Sequence, residues 1–429
     1  MTDHYLSLYF ASIDARRSAA LLLAWITAPF ASTVKRRASL ARAVRSQLGD
    51  CEVFAYASAR GALASCLRAL GIRAGDVVLL SSFTCLAVPT AVLAIGARPE
   101  YVDIDSSSLN TPAQSVIAAL HPKVKAIVLQ HTLGRIAEVE AIVAVARARG
   151  IVVIEDCALS VGSSRQGCAV GTVGDAAIFS MELSKTISSG WGGVLAVREQ
   201  GLARRIAEDF ARVAELPAFE TARRILQIAV CGICYHPSIF RVGRYVVAAG
   251  FRVRLFKPST STAETYGKLD GRFIAKLGGA QTVLATAQWL RLSEVASRCA
   301  FHAQRLRSAL RAARLRVVAE PGKDEVAVAP RVAFLVRDRT TAMRWFEARG
   351  VELGAWFDGP LSPLPDPDVF NYVADHYPSA TAVAEQIVNL PSHNRLSSSD
   401  VDRLIALVES YAAEHPLDRE PFAQSSVLY

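Results

Sequence analysis

An acid and an amine stand out by residue type and by place. Asp156 closes the apolar run IVVIED, and Lys185 follows twenty-nine positions later in FSMELSKTISSGWGG. A carboxylate buried at the end of a strand needs a charged or hydrogen-bonded partner, because an unpaired buried charge is costly. A lysine flanked by Ser, Thr and small or apolar residues can lose its proton and attack a carbonyl. On one aldehyde-bearing pyridine the two have complementary jobs. The amine forms a Schiff base with the aldehyde, and the carboxylate keeps the ring nitrogen protonated so that the ring can accept electrons. Pyridoxal phosphate chemistry requires that pair. Each residue also has a plainer reading, Asp156 as a helix-capping or ion-paired carboxylate and Lys185 as a solvated surface lysine. The position of Lys185, after a strand and before Gly190, Gly192 and Gly193, weakens the second.

A phosphate needs its own cradle. YASARGAL puts small residues immediately before a helical pattern, where free backbone N–H groups and the helix dipole favour an anion at Ser58, Ala59 and Arg60. Ser58 is equally suited to be an ordinary helix cap.

The elements that must position these groups follow from periodicity. From about residue 53, β-type runs (VFAYASAR, VVLL, PEYVDID, KAIVLQH, IVVIED, AAIFSM, GGVLAV) alternate with helical patterns such as Leu63, Cys66, Leu67 and Leu70, which Gly71 is placed to end. That alternation predicts βαβ units and a largely parallel sheet. Ligands gather at the carboxyl ends of such strands, where Asp156 and His131 stand. Glu155 should face the opposite side of the sheet. After about residue 260 come a long helical stretch from Lys276 to Leu315, the strand VAFLVRD, two further helical patterns and the proline-rich loop FDGPLSPLPDPDVFNY. A chain of 429 residues exceeds one ordinary core. The expected division is an N-terminal extension (1–40), a large cofactor-binding domain (41–260) and a smaller C-terminal α+β domain (261–429), with a polar, weakly ordered tail after His415.

The composition, 52% hydrophobic and 20% charged, is that of a folded protein. Its net charge of +9 reads as spread through the sequence rather than massed in a tail. That favours an anionic ligand, while the lack of an RNP-like run, zinc-finger spacing or long basic arm argues against nucleic acid. No metal site is expected. Eight cysteines in apolar surroundings read as buried thiols in a reducing, cytoplasmic setting, with Cys231 and Cys234 of AVCGICY as two core cysteines. SAALLLAWITAPFA is shorter than the ~20 residues of a spanning helix and reads as an amphipathic helix packed on the body. In a second apolar stretch, Ile225 to Phe256, arginines argue against spanning, and contact with a membrane surface is the lesser alternative. No strand is followed by GxGxxG, which sets a nicotinamide enzyme aside.

In this order, SARGAL, SFTCLAVPTAVLAIGARPEYVDID, KAIVLQHTLG, VIEDCALSVGSS, GDAAIFSMELSKTISSGWGG and NLPSHNRLSSSDVDRLI resemble the DegT/DnrJ/StrS family of sugar aminotransferases from about residue 40 to about 412, most strongly between Tyr56 and Val194. The resemblance implies a fold type I pyridoxal phosphate enzyme, a homodimer with active sites at the subunit interface. It implies Lys185 as the Schiff-base lysine, Asp156 as partner of the pyridine nitrogen, and Ser180 with the amides around Ala59 and Arg60 as the phosphate cradle. The substrates implied are a nucleotide-linked keto sugar and glutamate as amino donor. Four departures accompany it. Leu159 stands where many members hydrogen-bond the cofactor's phenolic oxygen, and Cys85 where an aromatic residue often stacks on the ring. Trp191 replaces the Glu of GEGG, and the Asn of the partner-subunit phosphate motif is not recognisable near LDGRFIAKL. Relatives that dehydrate sugars have His in place of the lysine, so Lys185 favours transamination. The departures and the two apolar stretches leave open a non-catalytic assembly subunit.

Overall fold

Strands that are apolar at both odd and even positions require a sheet covered on both faces. A computed structural model, which describes residues 4–8, 15–26, 33–236, 239–363 and 365–419, has that arrangement. Ten strands precede residue 200: β1 (Glu52–Tyr56), β2 (Val77–Ser81), β3 (Thr84–Cys85), β4 (Arg98–Val102), β5 (Val124–Gln130), β6 (Val152–Asp156), β7 (Ser164–Arg165), β8 (Cys168–Ala169), β9 (Ala176–Ser180) and β10 (Gly193–Val197). Seven form one sheet in the order β1-β10-β9-β6-β5-β2-β4. From β9 to β4 all pairings are parallel, and β10 runs antiparallel to both its neighbours. The carboxyl ends of β1, β6 and β9 therefore share one edge with the start of β10, where Gly193 lies opposite both Tyr56 and Ser180.

Residue parity assigns each side chain to a face. Val78, Leu80, Ile154 and Ile178 pack with α3 (Ala59–Ala69) and α4 (Ala87–Leu93). Val77, Leu79 and Val153 pack on the other face with α5 (Ala113–Ala118) and α6 (Val139–Ala148), and farther along that face Ala177 and Phe179 meet α2 (Thr33–Leu48). α7 (Gln200–Arg212) joins α3 on the first face. α8 (Ala218–Cys234) and α9 (Phe240–Arg252) form a helical hairpin. α1 (Ala15–Ile26) lies on the body as a packed helix, with Leu21 against Ile225, Ile228 and Leu284. Among the described residues no helix is long and apolar enough to cross a membrane.

The packing does not part at residue 260. α10 (Gly279–Leu290) and the first half of α11 (Leu292–Ala312) close the large sheet, through Ala285, Trp289, Leu292, Val295 and Cys299. The second half of α11, through Ala303, Leu306 and Leu310, belongs to the smaller unit. That unit is an antiparallel sheet of β11 (Arg316–Val317), β13 (Arg331–Leu335) and β15 (Ile387–Pro391), covered by α12 (Arg339–Ala348) and α15 (Ser398–Glu414). Leu6, from the expected N-terminal extension, bridges Val351 and joins the same cluster. Two short pairs tie the units together: β12 (Glu325–Val326) with β7, and β14 (Leu361–Ser362) with β3. Of the tail, 416–419 form a short turn at the end of α15, and 420–429 lie outside the described residues. Cys85 and Cys234 are half-buried and Cys168 is exposed, so the expectation of buried thiols holds for Cys51, Cys66, Cys157, Cys231 and Cys299 but not for those three.

Candidate active site

Strand parity aims Asp156 of β6 and Ser180 of β9 to the α3 side of the sheet, the side of Ile154 and Ile178. There they meet a cavity of about 360 Å³, also lined by Ser58, Ala59, Arg60, Cys85, Lys185 and Trp191. Lys185 comes from the loop between β9 and β10. Leu159 does not join them: it packs with Phe83, Leu133 and Phe357 in a buried cluster beside the cavity. The side chain at that position therefore has no part in the lining.

At one end of the cavity α3 begins. The Ser58 hydroxyl caps it, accepting from the Gly61 amide at 3.0 Å and donating to the Phe273 carbonyl at 3.0 Å. Ser58 therefore does the ordinary capping work and still sits at the anion site. The amides of Ala59 and Arg60 are first-turn donors, for which a helix offers no internal acceptor. Gly193 makes room for them, since a Cβ there would lie 2.3 Å from the Ala59 nitrogen. The Arg60 side chain is spent elsewhere, in a buried ion pair with Glu264 and over the Phe273 ring at 4.7 Å. Its contribution to an anion is the backbone amide, not the guanidinium. The segment LDGRFIAKL packs on its own chain, where the Ala57 amide donates to the Ala275 carbonyl at 2.7 Å and the Leu277 amide to the Ala55 carbonyl at 3.0 Å.

At the other end are the acid and the amine. Asp156 is 4% exposed, and burial pushes its carboxyl up, against smaller opposing effects of the Ala158 amide at 2.9 Å and of Lys185. A cation held against it would relieve that cost. Burial pushes the Lys185 ammonium down, and Arg331 adds to this, while Cys85, Glu182 and Asp156 oppose it. The lysine is thereby biased toward the neutral, nucleophilic amine.

Trp356, unforeseen from the sequence, completes the wall, and Arg331 backs it. Trp356 lies under Lys185, with Nζ 4.9 Å from the ring centre, and the buried Arg331 guanidinium lies on the same ring at 3.5 Å while donating to the Ser184 carbonyl at 3.4 Å. Trp356 supplies an aromatic wall that position 85 lacks. The available signal was a lone arginine opening the apolar run RVAFLV and a tryptophan in GAWFDGP, both far along the chain from Lys185. Trp191 is buried, with its carbonyl held by the Gln281 side chain at 2.9 Å.

Glu155 does face away from the cavity. It binds His131 Nε2 at 2.9 Å and accepts the Gly171, Val173 and Gly174 amides, while His131 Nδ1 accepts from the Ala137 amide at 3.1 Å. With Nδ1 accepting from a backbone amide, Nε2 is the ring nitrogen that donates to Glu155. With Cys157 these two residues cluster closely enough to hold a metal ion, yet the imidazole and carboxylate are already satisfied by a knot that pins the ends of β5 and β6 to the 171–174 turn.

The residues fit pyridoxal phosphate: a helix N-terminus cleared by Gly193 for a phosphate, a buried carboxyl in want of a cation, and a half-buried amine on one cavity. The seven-stranded sheet with its smaller C-terminal unit is the fold type I architecture associated with pyridoxal phosphate-dependent transferases. The chain belongs to the DegT/DnrJ/EryC1/StrS aminotransferase family, whose sequence model matches residues 14–222 and 257–409. It is similar to an aminotransferase, TlmJ, from Streptoalloteichus hindustanus (TM-score 0.72, 23% identity, covering 97% of this chain and 100% of that one). A second similar fold is DesV of S. venezuelae, solved with a ketimine intermediate (TM-score 0.70, 20% identity, 92% and 94%). Curated relatives include Protein MosB of Rhizobium meliloti, 41% identical over 167 residues, covering 39% of this chain and 33% of that protein. An L-glutamine:2-deoxy-scyllo-inosose aminotransferase of Streptomyces lividus is 33% identical over 181 residues (42% and 43%). A UDP-N-acetyl-3-dehydro-alpha-D-glucosamine 3-aminotransferase of Acidithiobacillus ferrooxidans is 38% identical over 151 residues (35% and 41%). The chain spans less than half the length of these curated relatives.

Proposed function

We propose that this protein is a pyridoxal phosphate-dependent aminotransferase that converts a nucleotide-linked keto sugar to an amino sugar, with glutamate as amino donor, working as a cytoplasmic homodimer. The observation that carries the reading is the pair of buried Asp156 and half-buried Lys185, shifted in opposite directions on one cavity with the start of α3. The cofactor supplies an electron sink for the bonds at the substrate's amine-bearing carbon. Lys185 would hold the aldehyde of the bound cofactor. With the cofactor bound and its aldehyde released, the neutral Lys185 amine would be the base that moves a proton between the substrate carbon and the cofactor. Asp156 would keep the ring nitrogen protonated, the amides of Ala59 and Arg60 with Ser180 would hold the phosphate, and Trp356 covers one side of Lys185. The UDP-sugar aminotransferase among the relatives supports a nucleotide-linked substrate.

Protein purified with the cofactor should absorb in the visible. Borohydride should bleach it and leave a cofactor adduct on Lys185 by peptide mass spectrometry, and Lys185→Ala should show neither. A wild-type protein that stays colourless at saturating cofactor overturns the proposal. A second reading is favoured by the several relatives named L-glutamine:inosose aminotransferases: the acceptor is a keto cyclitol and the donor glutamine. Product mass from paired incubations, a UDP-keto sugar with glutamate against scyllo-inosose with glutamine, separates the two.

A further inference from the structure

The net charge is not spread evenly. Residues 15–49 and 221–263 hold 14 of the 48 Lys and Arg and none of the 39 Asp and Glu, so the remainder of the chain has more acids than bases. These two acid-free segments contain α1, α2, α9 and nearly all of α8, and α1 packs on α8 through Leu21 against Ile225 and Ile228.

The hairpin of α8 and α9 is built, not loosely attached. At 100° per residue, Phe240, Gly243, Val247 and Gly250 fall on one stripe of α9, and all are buried. Gly243 sits where a Cβ would lie 1.9 Å from the Cys234 carbonyl oxygen, so the two helices touch backbone to side-chain-free backbone. With that face used, a second apolar stripe remains outward: Val242, Val246 and Val253 are 71%, 50% and 69% exposed. On α8, Phe219, Leu226 and Ile233, at seven-residue spacing, are exposed too, as are Leu22, Leu23 and Trp25 on α1. Arg241, Arg252 and Arg254 are exposed beside the α9 stripe. Arg244 pairs with Glu347, and Arg223 and Lys257 pair with Glu220. The family model matches the chain on both sides of this hairpin but not residues 223–256.

We propose that the α8–α9 hairpin, with the outer face of α1, docks the protein on an anionic lipid surface. Outward aliphatic and aromatic side chains flanked by arginines, on helices too short and too charged to span, are the chemistry of a helix lying in the headgroup layer. A second copy of the chain related by a two-fold axis at this face would set the exposed Arg241, Arg252 and Arg254 of these acid-free segments against their own copies, whereas anionic headgroups complement them. Pro258, two residues beyond Phe256, lines the cavity, so docking places the membrane beside the site.

Flotation of the full-length protein with vesicles tests this. It should rise with phosphatidylcholine vesicles containing about a quarter phosphatidylglycerol and stay behind with phosphatidylcholine alone. Raising salt from about 0.1 M to about 0.5 M should weaken the association. The double variant Val242→Asp with Val246→Asp, and separately Arg241→Glu with Arg252→Glu, should each cut the bound fraction at least about tenfold. Both should retain the wild-type melting temperature and Lys185 adduct, because all four side chains are exposed and away from the cavity. Absence of flotation with anionic vesicles, flotation unchanged in both variants, or variants that instead alter oligomeric mass on light scattering would each overturn the proposal, the last in favour of a second copy.

Discussion

At the scale of the residue, Asp156 and Lys185 illustrate how burial sets chemistry. Each is disfavoured in its charged form by the same desolvation, which raises the carboxyl and lowers the ammonium. Asp156→Asn keeps the shape and an acceptor for the Ala158 amide but removes the counter-charge for a ring cation. Breaking a buried pair costs about 3–5 kcal/mol, so cofactor affinity should fall by roughly a hundredfold or more, measured by fluorescence titration. Lys185 makes a stability prediction of definite sign. Its folded pKa lies below the ordinary lysine value of 10.5, so its charge opposes folding at pH below the folded value, and the penalty fades as pH rises toward 10.5. Lys185→Met should therefore raise the melting temperature of the cofactor-free protein at neutral pH, with the gain shrinking in alkaline buffers. A gain independent of pH would point to packing instead.

At the scale of the element, the decisive contact is the start of α3 against the start of β10. The strand can approach because Gly193 has no side chain to meet the Ala59 nitrogen and the Ser58 carbonyl. Gly193→Ala would push backbone against backbone, a clash that side-chain rotation cannot relieve, with a cost of about 1–3 kcal/mol or more. Phosphate binding should suffer most, seen as weaker cofactor retention on dialysis. Gly271→Ala, where nothing lies within 4 Å of the added carbon, is the matching control and should be close to neutral. The ion pair of Arg60 with Glu264 works at the same scale, because Glu264 also accepts the Ser261 amide at 2.7 Å and so anchors the loop of Pro258, Ser259 and Thr260 over the cavity. Glu264→Gln should loosen that loop and raise KM for the larger substrate more than it lowers kcat.

At the scale of the whole molecule, the two units share helices and a site. α11 runs from the large core into the small one, and the small unit returns Trp356 and Phe357 to the cavity. A fragment of residues 41–260 lacks α10, α11 and the first half of α2, and with them the cover for Phe179. It should show no cooperative thermal transition and no visible cofactor absorbance, whereas the full chain should unfold as a protein with a shared core.

The sequence alone determined the strand–helix alternation, because periodicity is local, and with it the sheet-edge position of Asp156. It also determined the capping serine at Ser58, which depends on immediate neighbours, and put forward Lys185 as a candidate, whose environment depends on Cys85, Asp156, Arg331 and Trp356 far along the chain. Family membership was legible for a related reason: the motifs follow one another in a fixed order. What lies across the sheet or between units was not legible. The wall of Trp356 backed by Arg331, the diversion of the Arg60 guanidinium to Glu264, the exclusion of Leu159 from the cavity, and the packing of α10 and α11 with the large core all depend on contacts between residues far apart in the chain. Such contacts are settled by how whole faces pack and by which buried charges find partners, and only the tertiary structure decides that.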